Sequence, residues 1–166
     1  MKLLELPPIA AIRRNHALEH ATINVLSERC PDLHLVGRSD WAGFTLYGAV
    51  DTDEVAAAVS TALQRLLAGE SQLAIHPRCG TNVATGVVLA GLTSYAALSD
   101  RQRSRLGKAL RVLFGLAAAL ALAQPLGAKL QEHITTSSNV ATLRVVRIRR
   151  QERGRLIMHR IETAQE

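Results

Sequence analysis

The sequence predicts an α+β fold: a small α-β-β-α-β unit, a hairpin of two apolar helices, and a C-terminal basic β-hairpin. Three observations predict it. Helical periodicity over residues 11–28 gives way to short β-branched and aromatic runs over 32–50. Two stretches, 80–98 and 112–128, carry no charged residue. Residues 141–163 then interleave arginine with valine, leucine and isoleucine around "RQERGR". The boundaries follow as 1–78 for the α+β unit, 79–130 for the apolar hairpin and 131–166 for the basic hairpin, which is expected to pack on the first unit.

In order along the chain, the first helix is entered from "ELPPIA" and stopped near Cys30-Pro31, because a residue before proline is pushed out of the α region. "DLHLVGRSD" and "GFTLYGAV" read as strands joined by the turn "SDWAG". Asp51, with Glu54 three residues on, reads as the N-cap of a helix over 52–68 that ends at Gly69. "SQLAIHP" reads as a further short strand. His34 and His159 fall in strands and take no functional role.

Apolar residues make up 48% of the 166 positions but aromatics only 3%, so the core must be built from alanine, leucine and valine. The net charge of +6 suits an anionic surface. With so few aromatics to stack bases, single-strand nucleic-acid recognition is disfavoured and anionic lipid headgroups are the expected partner. Two cysteines, and an opening segment broken by two prolines with no cleavage pattern, point to a reducing compartment.

Both uncharged stretches are long enough to span a bilayer, and their glycines and alanines suit close helix packing. A buried soluble hairpin is the alternative. The expected location is the inner (plasma) membrane, multi-pass. Arg101, Arg103, Arg105 and Lys108 between the spans argue for a cytoplasmic loop, whereas Lys129 and the arginines after the second span argue for cytoplasmic termini, the orientation preferred here.

The stretch "RNHALEH" places His16 and His20 on one helical face with Glu19 beside the second. His-x-x-Glu-His at this spacing can hold Zn²⁺ through both imidazoles while the glutamate, not a ligand, takes a proton from water. The same residues also fit an ordinary amphipathic helix. Two spans in series return the chain to the membrane face it left, so "IHPRCGTN" and "QEHITTSSN" should lie on the side of the first helix. They offer His76 and Glu132 as third ligand, with Cys79 behind them and Glu70 also a candidate. Arg13 or Arg14 could steady an oxyanion.

In order, "RNHALEHATINVLSE", "GFTLYGAV", "LLAGESQLAIHPRCGTN" and "EHITT" resemble an uncharacterised family of small bacterial membrane proteins seen in cyanobacteria and other phototrophs. That resemblance implies a two-span membrane protein and brings no activity. Over five residues the HxxEH stretch separately resembles the helix of inverted zinc peptidases, implying His16 and His20 as ligands and Glu19 as general base. The larger fold of those peptidases is not found here. The expected function is a membrane-integral zinc hydrolase acting on a peptide or membrane protein. The alternative is a membrane-anchored assembly module, with homo-oligomerisation open; a haem or chlorophyll ligand role is a lesser reading, since there are few aromatics to pack a macrocycle.

Overall fold

The computed structural model describes residues 3–100, 104–154 and 156–165. They form two compact units, one made of Met1–His76 with Glu132–Glu166 and the other of Pro77–Gln131. The α+β character holds. The elements of the first unit are helix α1 (Pro7–Arg29), strands β1 (Val36–Asp40) and β2 (Gly43–Tyr47), helix α2 (Thr52–Leu67), a 3₁₀ turn (Ser71–Ala74), and strands β3 (Leu143–Arg153) and β4 (Leu156–Gln165).

Helix α1 begins four residues before the sequence suggests. Pro7 and Pro8 occupy its first positions, where a missing N–H costs no hydrogen bond and the fixed φ is already helical. Cys30 closes it ahead of Pro31, its amide bonded to the Leu26 carbonyl. Asp51 caps α2 as expected, accepting from the Asp53 amide at 2.8 Å, and Gly69 ends it with φ of 95°. "SQLAIHP" is not a strand. Leu73 and Ala74 are buried as neighbours, without the alternation of a half-buried strand, and i to i+3 bonds from Leu73 to Glu70 and from Ile75 to Gln72 wind the segment into 3₁₀ geometry. β1 starts at Val36, so His34 precedes the strand.

The missing sheet partner is the C-terminal hairpin. β4 pairs antiparallel with β2, Phe44 opposite Ile161, giving the order β1-β2-β4-β3. Alternation sends Phe44, Leu46 and Ile161, all at most 1% exposed, to the inner face, where they meet Leu18 and Val25 of α1 and Val55 and Val59 of α2. Phe44 is the core's one aromatic; the rest is alanine, valine, leucine and isoleucine. At Gly43, φ is 143° and a Cβ would stand 2.0 Å from the Ile161 carbonyl oxygen, so the β1–β2 turn closes only with glycine there.

In the second unit, α3 (Gly80–Ser99) and α4 (Arg105–Leu130) form a helical hairpin. Both are long and apolar enough to cross a membrane. Helix α4 runs through Pro125 without ending. Arg101 and Arg103 lie outside the described residues, as does Arg155 of the basic hairpin. Small residues set the approach of the two helices: a Cβ on Gly86 would stand 3.2 Å from that of Ala123, and one on Gly115 only 2.8 Å from that of Thr93. At the open end, Gly127 makes room for the buried Asn82, whose amide donates to the Pro77 carbonyl and whose oxygen accepts from Gln131, both at 2.8 Å.

Gly127→Ala would put a methyl 2.2 Å from Asn82 Oδ1 and 2.8 Å from its Cα. We expect a loss of about 2 kcal/mol from such overpacking, read as a lowered unfolding midpoint in detergent; an unchanged midpoint would show that the contact is not tight. In the first unit, His159 is buried in β4 beside the Thr52 hydroxyl at 3.1 Å. Burial first and the Arg150 charge second hold its pKa below the ordinary value, with Asp51 opposing. The folded imidazole is therefore neutral and the unfolded chain binds the extra proton. Its stabilising contribution is present above the unfolded value of about 6.5 and is lost as pH falls below that. Denaturant titrations should show a slope component of up to ~1.4 kcal/mol per pH unit below this point. His159→Gln should remove it.

Candidate metal centre

One face of α1 is polar and turned inward. His16, His20 and Asn24 follow at i, i+4 and i+8, one above another. His20, 2% exposed, places Nδ1 2.8 Å from the Ala74 carbonyl oxygen, and His16 places Nδ1 3.0 Å from that of Thr135. A carbonyl can only accept, so each Nδ1 donates, and in the neutral ring the lone pair then falls on Nε2. The imidazole centroids are 4.3 Å apart. Asn24 completes the row, its amide donating to the Leu73 and Ile75 carbonyls at 3.0 and 3.3 Å.

Arg13 steadies the other carbonyl-bearing segment. Its guanidinium donates to the His133 and Thr136 carbonyls at 3.1 and 2.9 Å, on either side of Thr135, and its own carbonyl accepts from the Ser137 amide. Arg14 reaches the Asn139 carbonyl and the Gln165 side chain. Both arginines are thus committed to holding the returning chain, and neither is placed as an oxyanion donor.

A second polar row of α1, Asn15 and Glu19, faces the sheet. The fully buried Asn15 donates to the Asp40 carbonyl at 2.8 Å and accepts from the Thr163 hydroxyl at 2.7 Å. Glu19, 4% exposed, lies over β1, where the Ser39 hydroxyl donates to its carboxylate. Burial pushes its pKa above the usual carboxylate value, opposed by the Ser39 bond and by His16. Gly37 is what lets it lie there, since a Cβ would stand 2.1 Å from Glu19 Oε1.

The remaining candidates separate. The ring of half-buried His76 is 5.8 Å from that of His20, centroid to centroid. Glu132 is exposed beside His133, its carboxylate 3.8 Å from the imidazole. Neither joins His16 and His20 in a group whose ligand atoms all lie within 4.8 Å of one another. Glu70 is engaged by Arg65 at 2.8 Å, which removes it from consideration. Cys79 belongs to the second unit, where it caps α3 and accepts from the Thr81 amide at 3.4 Å. A cavity of about 370 Å³ opens between Ser71–Ile75 and Glu132–Ser138, the two segments whose carbonyls orient the histidines. Asn24 escaped the motif reading, although it continues the four-residue spacing of His16 and His20 and could have been found by it, and Arg13, expected at an oxyanion, instead holds the returning backbone.

A family model described as a domain of unknown function, DUF6391, matches residues 11–148. The chain belongs to the DUF6391 family. The matched region takes in the histidine helix, both apolar helices and the start of β3. An uncharacterized protein of the cyanobacterium Picosynechococcus sp. is 45% identical over 140 residues, an alignment covering 76% of this chain and 66% of the relative. This DUF6391 chain therefore spans just under two thirds of that relative's length. No solved structure matches it.

Gly37→Ala should drive its methyl into the Glu19 carboxylate and destabilise the first unit by about 2 kcal/mol. Pairing it with Glu19→Ala, which vacates the space, should recover most of that loss in a double-mutant cycle. Additive losses would show that the two residues do not touch.

Proposed function

We propose that this DUF6391 protein is a membrane-integral zinc hydrolase of the peptidase class, anchored by α3 and α4. The observation that carries the metal site is the matched orientation of His16 and His20: each Nδ1–H is engaged by a backbone carbonyl, the support that sets ring orientation in metal-ligating histidines. Two neighbouring Nε2 lone pairs are a donor set that zinc accepts, so the residues fit the metal. His76, whose ring centroid stands 5.8 Å from that of His20 in the same unit, is the third donor in this reading. A loop side chain before Pro77 can turn about χ1 in a way that the buried His20 cannot.

Zinc at this position would supply Lewis-acid polarisation of a carbonyl and acidification of a water molecule. The chain supplies the rest. Glu19, held by Ser39, accepts the proton of the attacking water and returns it to the leaving amine. The cavity beside Glu132 and His133 offers a polar surface for an extended peptide.

The bilayer reading is supported by the apolar surface of the hairpin. Leu120 is 78% exposed, and Tyr95, Leu106, Phe114 and Val83 are all above two thirds. So much exposed apolar side chain, most of it on the uncharged stretches 80–98 and 112–128, suits hydrocarbon as its solvent. The termini are placed on the cytoplasmic side of the inner membrane in this reading.

A second reading has its own observation: His16, His20, Asn24 and Arg13 already tie two returning segments to α1, as a non-catalytic assembly module would require. Metal content and activity separate the two. Detergent-purified wild type should carry about one zinc per chain, lost in His16→Asn/His20→Asn. Glu19→Gln should keep the zinc and lose peptide hydrolysis by about 100-fold or more. His76→Ala, Glu132→Ala and Cys79→Ser then test each remaining ligand candidate. A folded wild type without metal, or wild-type hydrolysis by Glu19→Gln, would overturn the hydrolase.

A further inference from the structure

We infer that the outer face of the four-stranded sheet is a docking surface for anionic lipid headgroups. Strand alternation sorts the sheet into two faces of different chemistry. Phe44, Leu46, His159 and Ile161 point to the helices; their neighbours Thr45, Tyr47, Met158 and Arg160 point the other way. Continuing the register across the sheet puts Arg38 of β1, Arg160 of β4 and Arg144, Arg147, Arg149 and Arg153 of β3 on that outer face. The bulge at Val146 matters here. By adding one residue between Val145 and Arg147 it shifts the alternation so that Arg147 and Arg149, as well as Arg144, face outward.

Among the described residues, two carboxylates share the face. Asp40 is held by Arg160 in a two-pronged pair at 2.7 and 2.9 Å, and Glu162 pairs with Arg149 at 2.9 Å. The surface is therefore strongly cationic, and five of the six arginines are exposed, Arg160 being half-buried. Arginines along β3 alone could be read as protection of an edge strand against unwanted pairing. That reading extends to Arg38 on the opposite edge strand β1 but not to Arg160, which lies on the interior strand β4.

Among the macromolecular anions, lipid fits best. The face offers a single aromatic, Tyr47, so it lacks the stacking platform that single-stranded nucleic acid needs. The chain continues from this unit directly into the two apolar helices, at residues 76–77 and 131–132. If those helices are in a bilayer, headgroups are present at very high effective concentration by tethering alone. Each arginine held near an anionic leaflet adds to the attraction. This inference rests on the membrane part of the reading above and is independent of the zinc site.

The test uses the full chain in nanodiscs. Gln151→Cys, exposed and on the outer face of β3, is labelled with a fluorophore in a Cys30→Ser background, Cys79 being buried. Discs of phosphatidylcholine alone, or mixed with phosphatidylglycerol, carry a trace of lipid with a nitroxide on its headgroup. Quenching should rise roughly twofold or more in the anionic discs and fall back in high salt. Arg147→Ser/Arg149→Ser/Arg153→Ser should abolish the rise. Equal quenching in both discs, an unchanged triple variant, or displacement of the lipid by an added oligonucleotide would each overturn the docking surface. Failure of the wild type to enter discs at all would overturn the membrane reading and this surface with it, whereas entry without lipid-dependent quenching overturns this surface alone.

Discussion

Two hydrogen bonds from imidazole to backbone organise the candidate site of this protein. His20 on the Ala74 carbonyl and His16 on the Thr135 carbonyl join one face of α1 to two segments far away in the chain. Ala74 closes the 3₁₀ turn and Thr135 closes a π-helical turn, Gln131–Thr135, that follows α4, and carbonyls at the end of a helix have no partner within it. They must find donors elsewhere. Helix α1 provides them in one row, with Asn24 below His20 and the Arg13 guanidinium bracketing Thr135. The same bonds that finish the fold also select the tautomer of the neutral histidines, so the fold and the proposed metal site rest on one arrangement.

The helix can serve this way because it is polar on more than one side. Its second row, Asn15 and Glu19, reads the inner face of the sheet, where Gly37 and Ser39 leave space and a donor for a buried carboxylate. Burying a carboxylate is costly unless it is hydrogen-bonded, and one hydroxyl only partly offsets that, which is why the group stays harder to ionise than usual. The apolar burden of the core falls instead on the small side chains of α1 and α2 and on the sheet residues around Phe44. A helix packed through alanines, as at Ala17, Ala21, Ala58 and Ala62, can approach its neighbour closely and leave its polar faces to other partners.

Much of this was legible in the chain. Helical spacing marked α1 and paired His16 with His20; Asp51 and Gly69 bounded α2; and the lack of aromatics foretold an aliphatic core. What could not be read was long-range. The 3₁₀ turn at Ser71–Ala74 looked like a strand because four to six apolar and polar residues in loose alternation fit either, and the choice was made by its packing on α1. The sheet's completion by β4 depends on a pairing more than a hundred residues apart in sequence. Pro7 and Pro8, read as the way into the first helix, form its first turn. By residue type Glu132 and His76 are equal choices; Glu132 is exposed, and the ring of His76 stands 5.8 Å from that of His20. Arg13 and Arg14 were assigned to chemistry because they flank the motif, yet their spacing from His16 turns them to the returning backbone.

Family membership gives these observations a common frame, since the matched residues contain both the histidine helix and the apolar hairpin. The central claim is that His16 and His20 present Nε2 to one zinc ion. X-ray absorption at the zinc edge of the purified full chain tests it most directly, because imidazole leaves a multiple-scattering signature that carboxylate and thiolate do not. We predict a first shell with Zn–N distances of about 2.0–2.1 Å and scattering from at least two imidazoles, lost when His16 and His20 are replaced together. A zinc shell without imidazole, one dominated by sulfur, or a folded protein that takes up no zinc would contradict it.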